Sequence, residues 1–169
     1  MKALTAFLLA GLLGAADDQE LEGLLKRSAY PLSEAVKKAQ EIAKTGVVIA
    51  AELEDEDGKA AYSVEIAQDR KIMEIVLDAK TGELLEKKVE DDDEDALAKA
   101  CKISLTRAIE IALAKTPGQV YSAEAEIEND KAIFEVKILG DGKVHKVTLD
   151  AAGGEILKVK SRKVEGEKK

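Results

Sequence analysis

The chain has 169 residues and a formal charge of -8, and it is 46% apolar but only 3% aromatic, so its core has to be assembled from Ala, Val, Ile and Leu. That charge repels a phosphate backbone and no basic stripe interleaved with aromatics offsets it, which argues against a nucleic-acid partner. One cysteine, Cys101, and one histidine, His145, exclude an internal disulfide and, within a single copy, a two-histidine metal site.

The chain opens with Met1-Lys2, an apolar run from Ala3 to Leu13 and the small residues Gly14-Ala15-Ala16. This is the layout of a secretory signal cleaved after Ala16, and its apolar stretch is shorter than the roughly 20 residues a bilayer span needs. Residues 1–16 are therefore read as a signal peptide, and the mature protein as exported, periplasmic or extracellular. Residues 17–31 are polar apart from Leu21, Leu24 and Leu25, which suggests a short amphipathic turn leading into Pro31.

A helix follows, with Ser33 as its predicted N-cap, Leu32, Ala35, Val36, Ala39, Ile42 and Ala43 on one stripe, and Gly46 as its stop. The period then changes to two. Val47, Ile49, Ala51 and Leu53 are expected to face one way and Glu52 and Glu54 the other. Asp57-Gly58 is a hairpin signal, after which Tyr62, Val64 and Ile66 point inward on a second strand. Gln68-Asp69-Arg70 turns the chain into a third strand carrying Met73, Ile75 and Leu77. The turn from Asp78 to Gly82 pairs an Asx-type side chain with a glycine suited to positive φ, and a fourth strand begins at Leu84.

The same text then recurs. Leu32-Ser33-x-Ala35-Val36-x-x-x-Ala39 returns 73 positions later as Leu105-Thr106-x-Ala108-Ile109-x-x-x-Ala112. Lys59-Ala60-x-Tyr62-x-Val64-x-Ile66 returns 72 positions later as Lys131-Ala132-x-Phe134-x-Val136-x-Ile138, and Leu77-Asp78-Ala79-x-x-Gly82-Glu83 as Leu149-Asp150-Ala151-x-x-Gly154-Glu155. Thr106 is the second predicted cap. Tyr121, Ala123, Ala125 and Ile127 match the first inward row, with Glu124 and Glu126 opposite, and His145, Val147 and Leu149 match the third. The fold class is α+β: two tandem repeats, each a helix packed on a four-stranded antiparallel β-meander. The repeats span 17–89 and 97–160, joined by an acidic linker at 90–96 and followed by a Lys-rich tail at 161–169 that is expected to be disordered. Each repeat alone would bury only roughly 60% of its unfolded surface, so the two are expected to pack together.

Helix, alternating strands and the turn Asp78-Ala79-Lys80-Thr81-Gly82-Glu83, with its copy Asp150-Ala151-Ala152-Gly153-Gly154-Glu155, resemble the PepSY domain, here as a tandem pair covering nearly all of the mature chain. The resemblance implies an exported or membrane-associated, non-catalytic module of the kind found in propeptides of thermolysin-like metallopeptidases, where it restrains the enzyme. The arrangement is also similar to that of β-lactamase inhibitor proteins, which grip an enzyme with a sheet surface. No catalytic residue carries over, because the motif marks a turn.

Single residues support this non-enzymatic reading. Ser33 and Thr106 are explained as caps, Asp78 and Asp150 as turn formers, Cys101 as a small buried residue in the place of Ser28, and His145 as a packed or edge histidine. No cofactor is expected. The acidic runs 52–57 and 90–94 lack the ligand order and fixed glycine of an EF-hand, and they leave weak calcium binding, in an acidic envelope protein, as the alternative function. The polar sheet face offers the candidate partner-binding residues: Glu52, Glu54, Glu65 and Glu74 in one repeat, and Glu124, Glu126, Lys137 and Lys146 in the other. The function expected is a secreted protein-binding module that restrains or inhibits a peptidase or other exported partner.

Overall fold

Apolar residues at every second position, broken by pairs of residues with positive φ, make each repeat a meander. A computed structural model describes residues 15–164. The first repeat contains β1 (Val47–Glu56), β2 (Lys59–Gln68), β3 (Lys71–Asp78) and β4 (Leu84–Glu90); the second contains β5 (Gln119–Glu128), β6 (Lys131–Gly140), β7 (Lys143–Asp150) and β8 (Ile156–Lys163). Helices α1 (Ala15–Arg27) and α2 (Leu32–Ala43) precede the first meander, and α3 (Asp95–Ala100) and α4 (Leu105–Lys115) the second. The protein is thus α+β with two helix-plus-four-strand repeats. The predicted signal peptide lies outside the described residues except for Ala15 and Ala16, which open α1.

The hairpins turn on Asp57-Gly58, Asp69-Arg70, Asn129-Asp130 and Asp141-Gly142, and both residues of every pair have positive φ. This is the type I′ geometry, whose twist matches that of the flanking strands. Asp78 closes the longer turn: its Oδ1 accepts the Lys80 and Thr81 amides at 2.8 and 2.9 Å, which holds its carboxyl below the usual range. Gly82 follows at φ 73, and a Cβ there would lie 2.8 Å from the Tyr30 ring.

The two meanders form one sheet, ordered β4-β3-β2-β1-β5-β6-β7-β8. The seam consists of the antiparallel pairs Ala50–Glu124, Ala51–Ala123 and Glu52–Ser122. Ala51 and Ala123 are repeat equivalents, so a pseudo-twofold axis runs through that pair, normal to the sheet. Helix α2 packs on α4 across this axis, and the two cover Tyr62, Val64, Ile66, Phe134, Val136 and Ile138, all with essentially no exposed surface.

Helices α1 and α3 lock the halves together. Helix α3 packs against β1 and β2 of the first repeat and β5 and β6 of the second. Arg27 of α1 donates to Gly58 O at 2.7 Å and pairs with Asp55, while Asp18, only 1% exposed, accepts from Arg162 of β8 at 2.6 and 2.7 Å.

Several sequence expectations are corrected. The segment 17–31 is mostly helix rather than turn, because Leu21, Leu24 and Leu25 are all buried in the main core. The ladder shifts between Val48 and Ala50, and between Val120 and Ser122. This bulge changes the phase of the strand, so Val48, Ala51 and Leu53 face the main core, while Ile49 joins a second cluster with Ala67, Ile72, Leu97 and Ala98. Ile127, expected inward, is 55% exposed. Residues 161–163 of the expected tail complete β8, where Val164 N also bonds Gly142 O at 3.0 Å; residues 165–169 lie outside the described residues. Cys101 is half-buried rather than buried, and burial pushes its thiol pKa up, away from reactivity.

Both caps sit two residues earlier than predicted, because Leu32 and Leu105 are already helical and buried. Pro31 occupies the N-cap of α2 without a side-chain bond, whereas the Ser104 hydroxyl accepts the Arg107 amide at 3.1 Å. Ser104→Ala is expected to cost about 1 kcal/mol in urea denaturation, and Ser33→Ala to change stability by less than about 0.5 kcal/mol.

Candidate protein-binding face

Alternation against the buried rows places all eight candidate residues on the sheet face turned away from α2 and α4. On that face Glu65 lies directly opposite Glu74 and Lys137 opposite Lys146, with Glu124 opposite Glu135. The halves then handle charge differently. In the second repeat Lys137 Nζ lies 3.2 Å from Glu124 and 3.8 Å from Glu135, and Lys146 also pairs with Glu135. Lys137 is pulled down by burial, but Glu124 and Glu135 outweigh this and leave its pKa raised.

In the first repeat Glu52 accepts the Ser122 hydroxyl at 3.0 Å and Glu74 the Ser63 hydroxyl at 2.8 Å. Among the described residues, no cation lies within ion-pair distance of Glu52, Glu54, Glu65 or Glu74. Glu54 is pushed up to about 7 by burial and then by Glu52, Glu74, Glu56 and Glu65. Glu65 is likewise pushed up to about 7, by burial and then by Glu74, Glu52, Asp92 and Glu94. Burial also raises Glu52, against the Ser122 bond, and Glu126, against Lys146 and Lys137.

Glu135 is the residue that sequence reasoning missed. It is 7% exposed and joins both lysines, yet its repeat equivalent is the unremarked Ser63. Strict alternation on β6, which puts it beside Lys137, was the available signal.

The two runs considered for calcium do not converge. In the first, Asp55 is spent on Arg27 and the Gly58 amide, while Glu52 and Glu54 point to the open face. In the second, Asp93 and Asp91 pair with Arg70 and Lys71, and Asp95 accepts the Arg70 amide. The carboxylates that do gather, among the described residues, are Glu124, Glu126 and Glu135, whose oxygens lie within 4.8 Å of one another, and Lys137 and Lys146 already supply their counter-charge.

His145 lies on β7, one strand in from the β8 edge of the sheet. Nε2 faces the Gly140 carbonyl at 3.2 Å and must carry a proton to bond it, which leaves Nδ1 to accept the Ser161 hydroxyl at 2.7 Å. Two grooves flank the α2–α4 pair, about 290 Å³ beside Tyr30, Leu32 and Ile109, and about 480 Å³ beside Ile103, Leu105 and Val36. They are repeat equivalents, and the larger is also lined by Lys37, Glu41, Cys101 and Lys102.

The family model described as the peptidase propeptide and YPEB domain, PepSY, matches residues 29–88 and 102–160. The chain belongs to the PepSY family. The two matches run from just before α2 into β4 and from just before α4 into β8, so each repeat is one PepSY domain and the shared sheet joins a tandem pair. PepSY is a propeptide-type module associated with peptidases. Among curated proteins none matches the chain. One similar solved structure is that of a candidate lipoprotein from Clostridium difficile 630, with 24% identity, TM-score 0.47, and coverage of 79% of this chain and 93% of that one. Another is the YpeB C-terminal domain of Bacillus megaterium, with 15% identity, TM-score 0.30, and coverage of 79% and 66%. Among the described residues, no helix is long and apolar enough to cross a membrane.

Proposed function

We propose that this tandem PepSY protein is an exported, non-catalytic binding module that restrains or inhibits a peptidase, meeting it with the strand face opposite α2 and α4. The observation that carries the reading is the set of half-buried carboxylates on β1, β2 and β3 with no cation of their own, in a family whose description names peptidase propeptides. Such a surface attracts a cationic patch and sets both on-rate and orientation. Export is supported by the family and by the N-terminal order of lysine, apolar run and small residues.

The test is the activity of a thermolysin-type metallopeptidase titrated with the protein. Inhibition is expected, and Glu65→Lys with Glu74→Lys should weaken it by about tenfold or more while the variant still gives a folded circular dichroism spectrum and a cooperative melt. Inhibition indifferent to the reversal would refute the face. A peptidase left fully active would refute the inhibitory role.

A further inference from the structure

We infer that the β8 edge of the sheet is a docking strip for an anionic bilayer surface, on which the protein stands edge-on with β4 farthest from the lipid. The inference does not rest on a peptidase partner. Its basis is the contrast between two repeat-equivalent strands, β4 and β8, which form the two edges of one sheet. Over equivalent positions, 84–91 carry Glu86, Lys87, Lys88, Glu90 and Asp91, whereas 156–163 carry Lys158, Lys160, Arg162 and Lys163 and no acid. Mixed charge on β4 already serves to discourage pairing with another strand, so uniform positive charge on β8 is not a demand of the fold.

Part of the positive charge is neutralised within the chain, since Arg162 pairs with Asp18 and Lys146, on the neighbouring strand, with Glu135. Asp141 and Glu155 stand in the turns beside the two ends of β8. Between them Lys143, Lys158, Lys160 and Lys163 are exposed, and among the described residues no carboxylate lies within ion-pair distance of any of the four. Leu157 and Val159, 53% and 39% exposed, alternate with the lysines. An edge strand meets a surface with side chains from both of its faces, so the ammonium groups reach lipid phosphates while the two aliphatic side chains enter the boundary between headgroups and acyl chains. A soluble polyanion would use the lysines and leave Leu157 and Val159 in water, and the strand has no aromatic side chain on which a base could stack. The total charge of -8 opposes this contact only weakly, because most of it lies far from the lipid. Seven strand spacings separate β8 from β4 and four separate it from β1, about 34 and 19 Å, against a Debye length of about 8 Å at physiological salt.

Cosedimentation with vesicles tests this, using residues 17–169 so that the apolar run 3–13 cannot insert on its own. Binding is expected to vesicles of phosphatidylcholine with about a third phosphatidylglycerol at about 0.1 M salt, not to phosphatidylcholine alone, and is expected to weaken about tenfold or more by about 0.5 M. Lys158→Gln with Lys160→Gln should weaken it about tenfold or more, and Lys158→Arg with Lys160→Arg should preserve it. Lys87→Gln with Lys88→Gln, on the opposite edge, should leave it unchanged, and a cooperative melt of each variant separates lost docking from a lost fold. Leu157→Ser with Val159→Ser should weaken binding to vesicles about threefold or more while retention on dextran sulfate stays as it was. A wild-type chain that ignores anionic vesicles overturns the inference, as does vesicle binding that survives the two glutamines on β8. Vesicle binding that survives the two serines, with equal retention on dextran sulfate, overturns it in favour of a soluble polyanion.

Discussion

Truncation of Phe134 to alanine is expected to destabilise the chain by about 3–5 kcal/mol, a large part of the roughly 5–15 kcal/mol that holds a domain of this size. Phe134 has no exposed surface and sits among Val136, Ile138 and Leu149 of the second repeat, yet its cluster continues without a break into Tyr62, Val64 and Leu77 of the first. The loss should therefore unfold both repeats in one transition. Tyr62, its repeat equivalent, adds a hydroxyl that donates to the Tyr30 carbonyl at 2.8 Å, so Tyr62→Phe is expected to cost only about 1 kcal/mol. Urea denaturation gives the magnitudes, and hydrogen exchange resolved by peptide gives the coupling. If β2 kept its protection in the Phe134→Ala protein, the repeats would be independent domains and the shared core would carry no cooperativity.

Much of the architecture was legible because it is written in local patterns that the sequence states twice. The inward rows of β2, β3, β6 and β7 follow from alternation, and the hairpins follow from residues that tolerate positive φ. What escaped depends on long-range pairing. No local signal in Val47-Val48-Ile49-Ala50 marks a bulge, since all four residues suit a strand, and only the seam with β5 and the packing of α3 decide which of them faces the core. Helix α1 carries a single short apolar stripe, Leu21, Leu24 and Leu25 at i, i+3, i+4 among polar residues, too little local signal for a helix on its own, and its stability comes from the core it covers and from the Asp18–Arg162 bridge, 144 positions apart. The candidate face was legible residue by residue, from alternation alone. Its electrostatic asymmetry was legible only in part, because Glu135 and the hydroxyls of Ser63 and Ser122 act across strands.

That asymmetry has a consequence for pH that runs against the usual behaviour of acidic proteins: stability is expected to fall as the pH rises from about 5 to about 8. Burial and neighbouring carboxylates push Glu54 and Glu65 up to about 7, from an ordinary value of 4.5. Between those values the folded chain holds protons that the unfolded chain has released. The stabilisation is complete below about pH 4.5 and disappears as the pH passes through about 7. Glu52, Glu94 and Glu126 are shifted in the same direction, whereas Asp78, held low by the Thr81 and Lys80 amides, acts only at more acidic pH. Because both groups are partly open to solvent, screening reduces their combined effect to about 2 kcal/mol. Glu54→Gln with Glu65→Gln removes the two titrations, so the double variant should melt higher than wild type at pH 8 and show a flatter profile between pH 5 and 8. A profile equally steep in both proteins would place the titrating groups elsewhere. For the binding face, the same protons mean that negative charge on β1 and β2 grows through neutral pH, so a cationic partner should bind more tightly at pH 8 than at pH 6, and the double variant should lose that dependence along with the stability slope.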